Sequence, residues 1–460
     1  MRKQGYLPEE AKVSGLTVIC GGTWKSKGHL GREQVVFVNE RSPAMDNSEL
    51  TTGKVAGLAG VGAGRRSVNG RTVRTAARWV VGLVVVVHGL IHLLGASKGL
   101  GWAEVTQLAG PISTGLGTVW LVAAVSTVGS GALLLAHVRW WWVIGAFAVV
   151  GSQVAIATAW TDAKVGTIVN VILLVAVVYG WASQGPRSAR AEYRRRTSGA
   201  LDIAHVGGVV TETDLERLPA AVAAYVRQSG AVGRPFVQAF RARFHGRIRS
   251  GPTKPWMTFV GEQVNTYGPQ PRRLFFMDAE LFGLPIQVLH VFEAGAATMR
   301  VKASSLVTMV NAKGPEMDRA ETVTIFNDLC ILAPAALIDA PATWQLIDDN
   351  HVRGTYTYGE NTITAELTFN DDHQLIDFVS DDRGAASSDG KTITPQRWST
   401  PISGYQQAGP RHLGTVGEGH WHAPDGEFAY LEYRLDEITY NKAVVVPQLA
   451  GIASGNPSPS

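Results

Sequence analysis

Cysteine and charge are both scarce in this chain. Cys20 and Cys330 are the only cysteines in 460 residues, which excludes a disulfide-stapled secreted scaffold and a zinc module built on thiolates. Charged residues make up 17%, below the roughly 25% of ordinary soluble domains. No apolar run followed by small residues opens the chain, so no secretory signal is expected there. Acidic residues are thin in one half only: residues 1–200 carry 21 Lys/Arg against 9 Asp/Glu, and residues 201–460 carry 21 against 29. A basic half joined to an acidic half argues against one continuous basic surface, so no nucleic-acid partner is expected.

Long apolar runs are abundant. Trp79 to Ala96, Ile112 to Ala136, Trp140 to Trp160 and Val165 to Ser183 contain no Asp, Glu, Lys or Arg. At about 1.5 Å per residue each can cross a hydrocarbon layer of about 30 Å. Backbone groups find no water there, so such runs must be helical. Trp79, Trp102, Trp140, Trp141, Trp142, Trp160 and Trp181 mark their ends, where indole rings prefer the interface. A four-helix transmembrane bundle over 76–185 is therefore expected. Arg65, Arg66, Arg71, Arg74 and Arg78 precede it, and Arg187, Arg190, Arg194, Arg195 and Arg196 follow it. The first and third connections hold Lys98 and Lys164, the second Arg139. Retention of positive charge inside puts both termini and the soluble region in the cytoplasm of a multi-pass plasma-membrane protein.

Residues 1–75 mix Gly, Ser and charge without a sustained period and read as disordered; Met45 offers an alternative start. Residues 186–212 read as a basic linker, and 441–460, rich in Gly, Pro and Ser, as a flexible tail. Between them, 213–440 reads as one α+β domain. A helix runs from Thr213 or Asp214 to about Gln228, and another from about Arg319 to Leu332 before Pro334. Alternating patterns predict strands over 237–248, 257–267, 272–281, 286–292, 298–310, 351–358, 362–369, 375–380, 393–398, 413–421 and 428–440. Short turns such as Asn370-Asp371-Asp372-His373 favour a mostly antiparallel, curved sheet with one or two helices.

Several phrases, HGLIHLLG (88–95), QLAGPIS (107–113), SQVAIATAWTDAKVGTIVNVILL (152–174), LPAAVAAYVRQSGAVGRP (218–235) and GPEMDRAE (314–321), resemble an uncharacterised bacterial family of multi-pass membrane proteins with a domain of unknown function. The resemblance spans roughly residues 77–440. The soluble part also looks like the antiparallel half-barrels of lipoprotein carriers, which implies a concave sheet cradling acyl chains.

Within the membrane runs, His88 and His92 are four apart and share a helix face. Gln153 and Asn170 lie at comparable depth on later runs. Polar side chains inside a bilayer face the bundle interior, either as a functional site or as hydrogen-bonding glue between helices. In the domain, Phe275, Phe276, Phe282, Leu284, Val288 and Val291 are either core or the wall of an apolar pocket. Glu418, His420 and His422 alternate along one strand and are weak metal candidates. Glu316, Asp318 and Glu321 suit the N-terminus of their helix, where unpaired N–H groups favour carboxylates; the alternative is an acid/base pair in a cleft. No cofactor and no catalytic residue is assigned. The reading is an integral membrane protein whose cytoplasmic β-rich domain binds a lipid or other hydrophobic ligand. The alternatives are an intramembrane redox or proton-handling module using His88 and His92, or a structural partner of a membrane complex, with oligomeric state left open.

Overall fold

The structure is a computed structural model and describes residues 70–201, 208–387 and 391–441. Of the segment read as disordered (1–75) and the tail read as flexible (441–460), residues 1–69 and 442–460 lie outside the described residues, while residues 70–75 belong to a helix rather than to a disordered segment.

The apolar runs form α1 (Gly70–Gly99), α2 (Thr114–Leu135) and α3 (Trp141–Thr158). A short α4 (Trp160–Ala163) leads into α5 (Gly166–Gln184). Four helices, α1, α2, α3 and α5, are long and apolar enough to cross a membrane. They expose many large apolar side chains, including Val87, Val125, Phe147 and Val171, as a lipid-facing surface would. Small residues let their backbones approach: a Cβ on Gly95 would collide with the ring of Trp120 on α2. That close packing without a hydrophobic driving force is the usual mode in lipid.

The stretch read as a linker contains a helix, α6 (Ala189–Thr197), capped by Ser188, whose side chain accepts from Ala191 N at 3.1 Å. The single helix expected over 213–228 is two, α7 (Glu212–Leu215) and α8 (Ala220–Gln228). Pro219 at the N-cap of α8 supplies the break, because it has no N–H to continue α7.

Then come β1 (Ala239–Ile248), β2 (Met257–Thr266), β3 (Arg272–Leu281), β4 (Leu284–Glu293), β5 (Ala296–Ala303), β6 (Val307–Lys313) and α9 (Pro315–Leu332). A 3-10 turn (Pro334–Asp339) leads to β7 (Ala342–Leu346), β8 (His351–Tyr358), β9 (Asn361–Phe369) and β10 (Leu375–Ser380). The chain ends with β11 (Gly384–Ala386), β12 (Ile393–Pro395), β13 (Trp398–Ser399), β14 (Ile402–Ala408), β15 (Arg411–Ala423) and β16 (Gly426–Tyr440). The strand expected over 298–310 is the hairpin β5–β6, folded at Ser304 and Ser305, both at positive φ. Among the described residues fourteen strands form one antiparallel sheet, ordered β6-β5-β4-β3-β2-β1-β16-β15-β13-β10-β9-β8-β7 with β14 beside β15; β11 and β12 form a separate ribbon.

The sheet curls around α9, which is buried on every side from Ala320 to Leu332. Its last carbonyls are satisfied from outside the helix. Tyr225 OH donates to Cys330 O at 2.8 Å, and Tyr440 OH to Leu332 O at 2.6 Å, meeting acceptors that a helix end leaves unpaired. Gly354 on β8 lets α9 approach, since a Cβ there would strike Phe326 and Trp344. The fold is thus a helical bundle plus an α+β domain with a curved antiparallel sheet.

Candidate functional site: a cavity between the concave sheet and α9

Strand β3 divides its side chains between two surfaces, because successive residues point to opposite faces. Arg273, Phe275 and Met277 face the concave side and α9. Leu274 and Phe276 pack on the convex side against Ala189 and Tyr193 of α6. On that same side Asp278 pairs with Arg190, and Glu280 pairs with Arg74 at 2.5 Å.

The concave side encloses a cavity of about 270 Å³. Phe244, Phe259, Phe275, Met277, Trp398 and Trp421 form much of its apolar wall, while Gln263, Arg273, Glu321 and Asp328 form a polar end. Glu321 and Asp328 are seven residues apart on α9, hence on nearly the same face. The Arg273 guanidinium lies between them, donating from Nη1 to Glu321 Oε2 at 3.0 Å and from Nε to Asp328 Oδ2 at 2.6 Å. His290 Nδ1 is 3.2 Å from Glu321 Oε1. Gln263 Nε2 and Asn265 Nδ2 also donate to Asp328 Oδ2, at 2.6 and 3.0 Å. Burial alone would raise the pKa of Glu321; the charges of Arg273 and His290 outweigh it and hold the carboxyl well below the ordinary range. Burial would lower the pKa of Arg273, but Asp328 and Glu321 raise it instead. Glu321 and Arg273 each favour the charged form of the other, so their pair presents fixed charge at one end of an apolar cavity. Arg383 stacks on Trp398 at 4.5 Å and donates to Ala320 O and Thr324 Oγ1.

The six apolar candidates separate. Phe275 is on the cavity wall. Phe276 and Val291 belong to the convex-side cluster under α6. Val288 is partly buried against the main core. Phe282 and Leu284 sit at the β3–β4 turn, exposed by 89% and 38%. The expected helix-end role for the acidic trio is corrected for one member. Glu316 and Asp318 lie in the first turn of α9, where Asp318 Oδ1 also accepts from Ala297 N on β5 at 2.6 Å; Glu321 instead sits in the cavity. Sequence reasoning missed Arg273, Asp328 and Arg383. One available signal was Glu321 and Asp328, two turns apart on a helix that carries no other charged residue from there to its C-terminus.

Glu418, His420 and His422 do alternate on β15, but their imidazoles are taken. His420 is 2.7 Å from Glu418 Oε2 and 2.5 Å from Glu427 Oε1, and His422 Nε2 is 2.8 Å from Ser399 Oγ. Burial disfavours protonation of His420, yet the hydrogen bonds and charges of Glu418 and Glu427 raise its pKa overall. Among the described residues no group of three or more His, Cys, Asp and Glu could hold a metal ion.

In the bundle, the structure brings His88, His92, Gln153 and Asn170 into one network through a fifth residue, Ser152. Ser152 Oγ donates to Asn170 Oδ1 at 2.8 Å, and Asn170 Nδ2 donates to Gln153 Oε1 at 2.9 Å. His92 Nε2 and His88 Nε2 lie 2.6 and 3.1 Å from Ser152 Oγ. With its one proton given to Asn170, that hydroxyl accepts from both imidazoles. The assignment leaves Nδ1 of His92 a buried acceptor without a hydrogen-bond partner among the described residues. Ser152 was legible only as a small residue in an apolar run.

Residues 208–433 match the model of a family of unknown function (DUF6544). The DUF6544 match takes in α7 through most of β16 and leaves the bundle outside. No curated protein matches the chain. Among solved structures, a LolA superfamily protein from Nitrosomonas europaea is similar over 51% of this chain and 94% of that one, at 9% identity and a TM-score of 0.30. A DUF1329 family protein from Desulfovibrio piger is similar over 48% of this chain and 92% of that one, at 14% identity and a TM-score of 0.30.

Proposed function

We propose that this chain is an integral membrane protein whose β-rich domain holds a lipid or other long hydrophobic ligand in the cavity under α9. The observation that carries the reading is the cavity itself: about 270 Å³, apolar along most of its wall, with a fixed polar end. That is the usual make-up of a small-molecule site, in which apolar surface supplies affinity and a few polar groups fix orientation. The four apolar helices support the membrane reading. The arginines before α1 and after α5 support an orientation with both termini and the domain in the cytoplasm. A reporter fused after Ser460 tests the orientation; activity beyond the membrane would overturn it.

Ligand binding is tested with a photoactivatable fatty acid offered to the full chain in vesicles, with the cross-linked peptides mapped. Labels are expected on peptides carrying Phe259, Phe275 and Met277, and are expected to vanish in Ala320→Trp, which fills the cavity. Labels confined to residues 70–184 would overturn the reading.

The unpartnered His92 Nδ1 favours a second reading, an intramembrane redox or proton-handling module using His88 and His92. Proton flux across proteoliposomes, or a visible absorbance band of the purified protein, is expected to be lost on replacing both histidines with alanine. Neither signal in the unaltered protein would remove that reading.

A further inference from the structure

We infer that two hairpin tips of the β domain, Leu281–Leu284 and Ser304–Val307, enter the lipid interface beside the bundle. The inference rests on the reading that α1, α2, α3 and α5 cross a bilayer. It adds a second, strand-borne attachment to that bilayer.

Direction comes from α6. This helix leaves the bundle after α5 and runs antiparallel to β3: Arg190 pairs with Asp278 near the strand's end, while the carbonyl of Arg196 accepts from Arg272 at its start. The end of β3 therefore points back toward the bundle. Arg74, at the entry to α1, reaches Glu280 on the same strand at 2.5 Å, so both ends of the bundle's chain agree. From Asp278 to Phe282 an extended strand covers about 13 Å. The non-helical Gly185–Ser188 separates α5 from α6, so the level is set by Arg74, in the first turns of α1, whose side chain meets Glu280 two residues before Phe282. The β3–β4 tip accordingly reaches the level of the first turns of α1. The second tip lies beside it, since Ser304 N donates to Pro285 O at 2.7 Å.

Both tips are apolar where a hairpin turn is ordinarily polar. Phe282 is 89% exposed, Leu306 46% and Val307 58%. Phe282 also adopts φ +50°, ahead of Gly283 at φ +85°. That pair of positions normally takes Asn-Gly or Asp-Gly, and a bulky residue there is strained. The chain thus holds a large, almost fully exposed aromatic ring in an unfavourable backbone conformation. An aromatic side chain of this kind is suited to the headgroup–acyl boundary. Arg187, Arg194 and Arg195, exposed around the same junction, suit anionic headgroups. The cavity's apolar end shares this end of the sheet: Ile248 pairs with Met257, and Thr258 with Glu280.

Single-cysteine nitroxide labels at 282 and 306 test the inference, in full-length protein carrying Cys20→Ser and reconstituted in nanodiscs of phosphatidylcholine and phosphatidylglycerol. Cys330 is buried and stays. Val171, exposed on the bundle, is the lipid reference. Glu360, in the β8–β9 turn close to Gly295 at the far end of β4, is the water reference. At 282 and 306, loss of accessibility to a water-soluble nickel chelate with retained oxygen accessibility, as at Val171, supports the inference. Behaviour like Glu360 while Val171 reads as lipid overturns it and leaves the bilayer reading standing. A water-like signal at Val171 itself overturns both.

Discussion

The bundle and the β domain both bury polar side chains, but of different kinds. Between α1, α3 and α5 the enclosed groups are two imidazoles, a hydroxyl and two amides, each within 3.3 Å of another. Under α9 they are ions, with Arg273 between Glu321 and Asp328. On the proposed bilayer reading nothing around the helices could solvate a charge, which suits a network of imidazoles, amides and a hydroxyl that bond one another. The sheet domain can enclose ions because Gln263, Asn265 and His290 supply further hydrogen bonds. The cost of removing one partner should differ accordingly, since an orphaned ion is far more expensive than an orphaned hydroxyl acceptor.

That contrast can be broken most directly at Arg273. Arg273→Met leaves two carboxylates buried together and should destabilise the β domain by about 3–5 kcal/mol, measured by hydrogen exchange along α9 in the full chain; a loss under about 1 kcal/mol would erase the distinction between the regions. Acid should act next, and on the domain alone. The folded pKa of Glu321 is depressed from an ordinary 4.5, so its contribution is fully present above that value and is lost as pH falls toward the folded one. Glu321→Gln should flatten the acid limb of domain stability between about pH 5 and 2, while the bundle's unfolding transition stays unmoved; equal slopes in both proteins would refute the assignment.

The bundle should respond more weakly. Ser152→Ala removes the hydroxyl shared by both histidines and should cost about 0.6–2 kcal/mol in an unfolding titration with denaturing detergent. A larger loss would mean that the network is more than glue. Smallest of all, Phe282→Asn relieves a positive φ and should leave domain stability unchanged or raise it by up to about 1 kcal/mol. A clear destabilisation would show that Phe282 packs against protein.

The bundle was the more legible half. Charge-free runs of sufficient length, tryptophans at their ends and arginines at one side need no tertiary information to be read as helices. The domain's strands were legible where both neighbours are turns, as in 272–281 and 351–358. They were blurred where a turn lacks Gly, Pro or Asn: Ser304-Ser305 split one predicted strand into β5 and β6. Strands β7 and β14 were missed, the first short and the second carrying Gly404, Gln406 and Gln407 with little alternation. Of the candidate site, Phe275, Glu321 and Glu418 were named for their types, but not as neighbours of one another. Arg273, Asp328 and Arg383 come from β3, α9 and the segment before β11, far apart in the chain.

What the sequence determined alone is local: where a long charge-free run forms a helix, and where alternation makes a strand with two faces. Which face of β3 meets α9 and which meets α6 was decided only when the sheet curled, because curvature makes one side concave and the other convex. That choice turned Glu321 from an apparent helix-end carboxylate into half of a buried ion network, and sent Phe275 and Phe276, adjacent in the chain, to opposite surfaces. A charge's role depends on what surrounds it, and here its surroundings are assembled from residues more than forty positions away.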